Sequence, residues 1–293
     1  MGTGSWTKDA FLNYTCATRG MGLDDFTTSS LSAQEVYKAH SLQKELNPYG
    51  ITRECCENEE HPNTLPVILA LDVTGSMGQA AVKVAQQLNS IMTDIYNANT
   101  GYDVEFCVMG IGDLSCDYAP IQMSQFESDV RIAEHLDKLF FEFGGGGNSY
   151  ESYTAAWYMG ARHTKLDCWD RGQKGIIITL GDEQLNPHLP REGWHCGLIA
   201  ATGDKPQCDV ETKALYDEVT QKYDVYHISV DDKQSSYDYN NRNNYVDKSW
   251  EMLGDHYKIA TLDNLAKIIT EIVTNGVSTS TTIVHSGEDG VSW

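Results

Sequence analysis

Three predominantly apolar runs constrain the fold of this chain more than any other feature of its sequence. They are Val67–Leu71, Val104–Ile111 and Gly175–Leu180. Apolar runs of this length, without alternation, are typical of strands that are buried on both faces of a sheet. Segments with apolar residues at helical spacing separate them, most clearly over Gln79–Asn97. The alternation predicts an α/β fold, a doubly wound, Rossmann-like, mainly parallel sheet with helices on both faces.

The chain divides into three parts by composition. Residues 1–63 are polar and irregular and are predicted to form an N-terminal extension with two helices. One covers Lys8–Tyr14, and the other begins after Ser32, which with Glu35 fits a capping box, and ends before Asn47. Residues 64–275 are predicted to form the α/β domain, and residues 276–293, rich in Ser, Thr and Gly, a flexible tail. The other predicted elements are an edge strand over Tyr118–Met123, helices over Phe126–Leu139, Glu151–Lys165, Val210–Tyr223 and Leu262–Val273, strands over Val225–Val230 and Tyr257–Ala260, and a polar loop over Asp231–Asn244.

Charge and composition argue against several classes of function. The chain has 21 Lys and Arg against 42 Asp and Glu, a formal net charge of −21, which disfavours binding to nucleic acid or to anionic lipid. No run approaches the roughly 18 apolar residues of a membrane span, and the first residues lack a secretory signal pattern. We therefore expect a cytoplasmic protein whose eight cysteines are thiols, with Cys107 in the core.

Oxygen-bearing side chains follow two of the apolar runs, at the edge where such sheets bind ligands. Asp72, Thr74 and Ser76 come after the first run and directly before a helix, and Asp182 comes after the third. Each alone is more simply interpreted as a helix N-cap or a turn residue. Because the carboxyl ends of parallel strands meet at one edge, we expect them to converge on a metal. Hard oxygen ligands without a thiolate suit Mg²⁺ or Mn²⁺, with Ca²⁺ as an alternative.

A glycine-rich loop, Gly144–Ser152, lies between these two segments and opens a predicted helix. It offers the oxygens of Asn148, Ser149 and Glu151 as further ligands of the same metal. Which of the three serves as the ligand stays open.

Enzyme functions are less consistent with the motifs. Haloacid-dehalogenase phosphatases carry Asp-x-Asp, whereas position 74 is Thr, so the second carboxylate is absent. No Lys-Ser/Thr follows the glycine run, which excludes a P-loop. Cys55 and Cys56 with His61 lack the second ligand pair of a zinc site. A metal-dependent hydrolase or phosphatase that uses Asp72 is the alternative, and a structural subunit with an empty site is a third.

The motif Asp72-x-Thr74-x-Ser76 resembles the metal-ion-dependent adhesion site of von Willebrand factor type A (vWA) domains, which is Asp-x-Ser-x-Ser. Thr at the middle position keeps the hydroxyl. The glycine-rich loop is similar to a Gly-Gly-Gly-Asp-x-Pro-Glu variant of that family's second metal loop. Asp182, between Gly181 and Glu183, occupies the place of Asp in the family's Thr-Asp-Gly loop. The resemblance covers about Pro66 to Val273.

This resemblance implies a binding site and no catalytic residue. Thr74 and Ser76 would bind the ion through their hydroxyls, and Asp72 and Asp182 directly or through water. One coordination position would stay free for an Asp or Glu carboxylate of a protein partner. Intracellular, bacterial-type vWA proteins commonly act as adaptors, which implies an AAA-type ATPase as the partner. The net charge predicts that this carboxylate lies in a neutral or basic surface.

Overall fold

The computed structural model describes residues 4–20, 32–143, 150–230 and 245–280. Within these ranges the strands are β1 (Arg53–Cys55), β2 (Thr64–Asp72), β3 (Asp103–Ile111), β4 (Ile121–Met123), β5 (Tyr150–Glu151), β6 (Thr164–Leu166), β7 (Gly175–Gly181), β8 (Gln184–Leu185), β9 (His188–Leu189), β10 (Val210–Glu211), β11 (Tyr223–Val230) and β12 (Tyr257–Ala260). The helices are α1 (Lys8–Arg19), α2 (Ala33–Val36), α3 (Gly78–Asn97), α4 (Arg131–Asp137), α5 (Thr154–Arg162), α6 (Leu198–Thr202), α7 (Thr212–Val219), α8 (245–249) and α9 (Leu265–Ser280), with 3-10 helices at Lys44–Leu46, Cys168–Arg171 and Glu251–His256.

A six-stranded sheet in the order β12–β11–β7–β2–β3–β4 forms the centre of the structure. All neighbouring strands are parallel except β3 and the edge strand β4, which are antiparallel. Every residue of β2 is buried, as its continuous apolar sequence predicts. The doubly wound α/β fold is therefore confirmed.

The alternation of side chains along β2 divides the core into two layers. Val67 and Leu69 face one hydrophobic cluster, which also holds the buried face of α3, including Leu88. Ile68 and Ala70 face the other cluster, which holds most of α5, including Trp157. Burying each large apolar side chain contributes roughly 1.5–3 kcal/mol, so helices on both faces fix the sheet and the loops at its edges.

Residues of the N-terminal segment pack on α3, on one face of the sheet. The indole of Trp6 donates to Asn89 Oδ1 over 3.2 Å and packs against Phe11, with ring centroids 5.2 Å apart and the rings tilted by 36°. The hydroxyl of the buried Tyr37 donates to the carbonyl of Ala81 over 2.8 Å. All three aromatic side chains thus belong to the same apolar layer as α3.

Several predicted helix bounds are wrong, in each case because a tertiary contact outweighs local propensity. The capping box of Ser32 and Glu35 is present, but α2 ends at Val36, since the next residue, Tyr37, is extended and inserts toward α3. The helix predicted from Phe126 begins only at Arg131, because the backbone of Glu127 pairs with Phe106 of β3.

Other bounds shift at helix ends. The two ends of the helix predicted over Glu151–Lys165 lie in short strands instead, Tyr150–Glu151 paired with β8 and Thr164–Leu166 paired with β1. Helix α1 runs on to Arg19 and α9 to Ser280. The predicted loop Asp231–Asn244 and most of the predicted tail lie outside the described residues. No helix in the described ranges is long and apolar enough to cross a membrane.

Candidate metal centre

The loop after β2 is organised by Asp72, which is 1% exposed. Its Oδ1 accepts hydrogen bonds from the backbone N–H of Thr74 over 2.8 Å and from the Thr74 hydroxyl over 2.5 Å. An Asp that accepts from the N–H two residues on fixes a tight turn. Helix α3 then begins at Gly78 after Met77, with no side-chain cap. The oxygens of this loop therefore have a role other than capping the helix.

A continuous row of oxygens connects this loop with the end of β7. The hydroxyl oxygens of Thr74 and Ser76 lie 3.5 Å apart, and the Ser76 hydroxyl donates to Asp182 Oδ1 over 3.1 Å. Since β2 and β7 are adjacent and parallel, their carboxyl ends bring Asp72 and Asp182 to the same edge. The structure thus brings together four of the residues that the sequence predicts as metal ligands.

The remaining predicted ligands belong to the glycine-rich loop. Glu151 lies in β5, is 6% exposed, and has one carboxylate oxygen, Oε2, without a hydrogen-bond partner. Burial raises its pKa, and the charge of Asp72 raises it further. Glu151 is therefore electrostatically part of this site. Asn148 and Ser149 lie outside the described residues.

Tyr153 is a component of the site that the sequence analysis missed. Its buried hydroxyl donates to Asp72 Oδ2 over 2.8 Å and accepts from the N–H of Glu183 over 3.2 Å. A Cβ added at Gly181 would overlap this hydroxyl, so the glycine at the end of β7 is required. The indole of Trp250 in turn donates to the carbonyl of Glu183 over 3.2 Å. Both oxygens of Asp72 are thereby held in place.

Two further carboxylates after β3 were also missed. Asp113 and Asp117 are 1% and 4% exposed, and both act on Glu151 by charge repulsion. Burial raises the pKa of Asp117 to about 6. Asp113 could have been found by the rule that identified Asp72 and Asp182. The rule is that a carboxylate just after a buried parallel strand is a candidate ligand.

Several carboxylates lie close together at this edge of the sheet, and they raise one another's pKa. Burial and then the charge of Asp182 raise the pKa of Asp72 to about 7, against the opposing hydrogen bonds from Thr74 and Tyr153. Neighbouring carboxylates are the next largest cause of both shifts after burial. A bound divalent cation would offset this negative charge.

The donor geometry is compatible with such an ion. Neighbouring oxygens in an octahedral Mg²⁺ shell are about 3.0 Å apart, given Mg–O distances of about 2.1 Å. The Ser76–Asp182 and Thr74–Ser76 oxygen pairs, at 3.1 and 3.5 Å, lie close to this spacing. No group of three or more His, Cys, Asp and Glu side chains in the described ranges is arranged to hold a metal. A metal at this edge would therefore depend on the two hydroxyls.

No protein-family model and no characterised protein sequence matches this chain. Among solved structures it is similar to the pilus adhesin SpaC of Lactobacillus rhamnosus GG, in its open conformation, at 14% identity and a TM-score of 0.47. The likeness covers 79% of this chain and 31% of SpaC. The chain thus spans about a third of the length of that adhesin.

Two other solved structures have similar scores. Proximal thread matrix protein 1 from the mussel byssus has 12% identity and a TM-score of 0.45, over 73% of this chain and 46% of that one. The vWF domain of the type V pili tip protein Mfa5 from Porphyromonas gingivalis has 12% identity and a TM-score of 0.44, over 78% and 98%. These likenesses do not indicate what the chain binds. From the strand order and the position of its oxygen-rich loops, the chain has a vWA-like fold.

Proposed function

We propose that this chain is a metal-dependent protein-interaction module. Asp72, Thr74, Ser76 and Asp182 hold Mg²⁺ or Mn²⁺, with Ca²⁺ as an alternative, and the ion captures an Asp or Glu carboxylate of a protein partner. The main support is the row of oxygens that runs from Asp72 to Asp182 across two adjacent strand ends. By family resemblance alone, the proposal extends to an adaptor role in a cytoplasmic complex, with an AAA-type ATPase as the partner.

Each protein group has a defined task in this mechanism. Thr74 and Ser76 present hydroxyl oxygens, and Tyr153 holds the far oxygen of Asp72 so that the near one stays in the row. The ion, when bound, supplies a Lewis acid for an incoming carboxylate. Four protein side chains do not fill the six positions that Mg²⁺ prefers, which leaves room for water and for the partner.

The burial of Asp72 disfavours the hydrolase alternative. A nucleophilic carboxylate needs one oxygen in line with the substrate. Asp72 is 1% exposed, and each of its oxygens accepts at least one hydrogen bond. Binding through the ion requires no such access to Asp72.

Calorimetric titration of the full chain with Mn²⁺ and Mg²⁺ tests the metal site. We expect one site, lost in Asp72→Asn and weakened in Ser76→Ala. Asp170→Asn is the control, because Asp170 is exposed and precedes β7, at the opposite end of the sheet from Asp182. Absence of binding to the folded wild-type chain would favour the structural-subunit alternative.

Affinity capture from native lysate then tests the interaction. Partners should be retained in Mg²⁺, released by EDTA, lost with Asp72→Asn and kept with Asp170→Asn. Hydrolysis of p-nitrophenyl phosphate that disappears in Asp72→Asn would instead support the hydrolase alternative.

A further inference from the structure

Three exposed rings form a stack beside the metal centre, and we call Tyr118, His195 and Trp194 the aromatic stack. Tyr118 is 70% and Trp194 84% exposed. The centroids of Tyr118 and His195 are 4.0 Å apart with the planes 20° from parallel, and those of His195 and Trp194 are 5.8 Å apart at 22°. Large exposed aromatic side chains held together in this way are characteristic of interaction surfaces.

The backbone holds the aromatic stack in place. The N–H of Trp194 donates to the carbonyl of Ser115 over 2.7 Å, and the N–H of Gly193 to that of Cys196 over 2.9 Å. A Cβ at Gly193 would overlap the carbonyl oxygen of Leu114. The turn that bears Trp194 is thus packed tightly on the loop after β3. A partner would meet a preformed surface, which lowers the entropic cost of binding.

Glu142 links the aromatic stack to the metal loop. Its carboxylate accepts hydrogen bonds from the N–H groups of Tyr118 and Ala119, over 3.2 and 2.7 Å. Its backbone forms a β-bridge with Thr74. The aromatic stack and the metal loop therefore lie side by side at one edge of the sheet.

The surroundings of the aromatic stack are acidic. Asp117 directly precedes Tyr118 in the chain, and the carboxylate of Glu142 accepts a hydrogen bond from the backbone N–H of Tyr118. The cation in the same turn, Arg191, already pairs with Glu192 over 3.3 Å. Aromatic faces with nearby carboxylates attract cations, most strongly the planar guanidinium of arginine.

We propose that the aromatic stack binds an arginine side chain of the same partner segment whose carboxylate reaches the metal, an inference that rests on the proposed function. The partner then carries an acidic and a basic residue that contact the two sites together. Arginine fits the charge of −21 of this chain better than an uncharged sugar or an apolar side chain does.

Titration of the full chain in EDTA tests the arginine site without the metal. The probes are N-acetyl-arginine amide and its neutral isostere N-acetyl-citrulline amide, observed by NMR at ¹⁵N-labelled indoles, with the Trp194 signal assigned from Trp194→Phe. We expect that signal to report affinity about three- to fivefold higher for arginine. Tyr118→Ala should reduce the preference. Tyr49→Ala should not, because Tyr49 is exposed but packs against Gly203, away from the aromatic stack.

Three results would overturn the arginine site. They are an equal response to the two amides, no response to either, and a stronger response to methyl glucoside. None of these outcomes affects the metal proposal, which calorimetry tests separately. The connection between the sites is tested in Mg²⁺ with peptides that hold one Asp and one Arg separated by one to four glycines. For at least one spacing, the peptide with Arg should bind at least about threefold tighter than the same peptide with citrulline. Equal binding at every spacing would overturn the connection.

Discussion

Asp72→Asn should stabilise this protein without metal, although it removes a proposed metal ligand. The carboxyl of Asp72 is 1% exposed, and its pKa is raised from 3.8 to about 7. The free-energy cost of ionising it in the folded state at pH 8 is about 4 kcal/mol, at about 1.4 kcal/mol per pKa unit. Asn keeps the acceptor for Thr74 but leaves the Tyr153 hydroxyl without its acceptor, at a cost of about 1 kcal/mol. The net gain at pH 8 is about 3 kcal/mol.

The pH dependence follows from the direction of the shift. The pKa of Asp72 is about 7 in the folded state and 3.8 in the unfolded state. The contribution of its protonated carboxyl to stability is therefore fully present below pH 3.8 and is lost as the pH rises through about 7. The advantage of Asp72→Asn in EDTA should therefore be largest at pH 8 and fall to about 1 kcal/mol or less at pH 5.

Thermal unfolding in EDTA and in Mg²⁺, at both pH values, checks this prediction. For a chain of this size 1 kcal/mol corresponds to about 2 °C, so the variant in EDTA at pH 8 should melt about 6 °C higher. Mg²⁺ at about a hundred times its dissociation constant should raise the wild-type stability by about 3 kcal/mol and leave the variant unchanged. A variant that melts at or below the wild-type temperature in EDTA at pH 8 would refute the inference that a buried charge at Asp72 costs stability.

Three further substitutions test other parts of the structure. Glu105 is fully buried in β3 and burial raises its pKa, so Glu105→Leu should raise the free energy of urea unfolding at pH 8, and the gain should be smaller at pH 4, where the Glu105 carboxyl is largely protonated in both states. Gly181→Ala should displace Tyr153, lower stability by roughly 1–3 kcal/mol and weaken Mn²⁺ binding in calorimetry. Gly193→Ala should accelerate hydrogen exchange at the Trp194 amide about tenfold, and an unchanged rate would mean that the turn is not held by close packing.

The sequence predicts the elements whose burial is complete. All nine residues of β2 are buried, and the apolar run Val67–Leu71 forms the middle of this strand. The periodic segment over Gln79–Asn97 is α3, with one residue more at its start. Helix α2 is shorter than its local sequence pattern predicts, because the contact of Tyr37 with α3 ends the helix at Val36.

The same distinction applies to the candidate site. Asp72 and Asp182 follow strands, and parallel strands have a common edge, so topology alone places them together. Tyr153 and Glu142 follow no strand of the central sheet, and only tertiary packing brings them to Asp72 and Thr74. A pattern in the sequence can therefore identify Asp72 and Asp182, whereas the contacts of Tyr153 and Glu142 become visible only in the folded structure.

The net charge of −21 belongs to the whole chain, but its effect on folding depends on where the carboxylates lie. Most of the excess acid can lie in water at little cost, but Asp72 and Glu151 are buried, and burial raises the pKa of both. Thr74 and Tyr153 fix the geometry of Asp72 without neutralising it. Burial thus makes ionisation of these carboxyls unfavourable for folding, and the proposed metal ion would link metal affinity to folding stability. A partner that brings only a carboxylate would add to the repulsion, whereas one that brings an arginine to the aromatic stack would offset it.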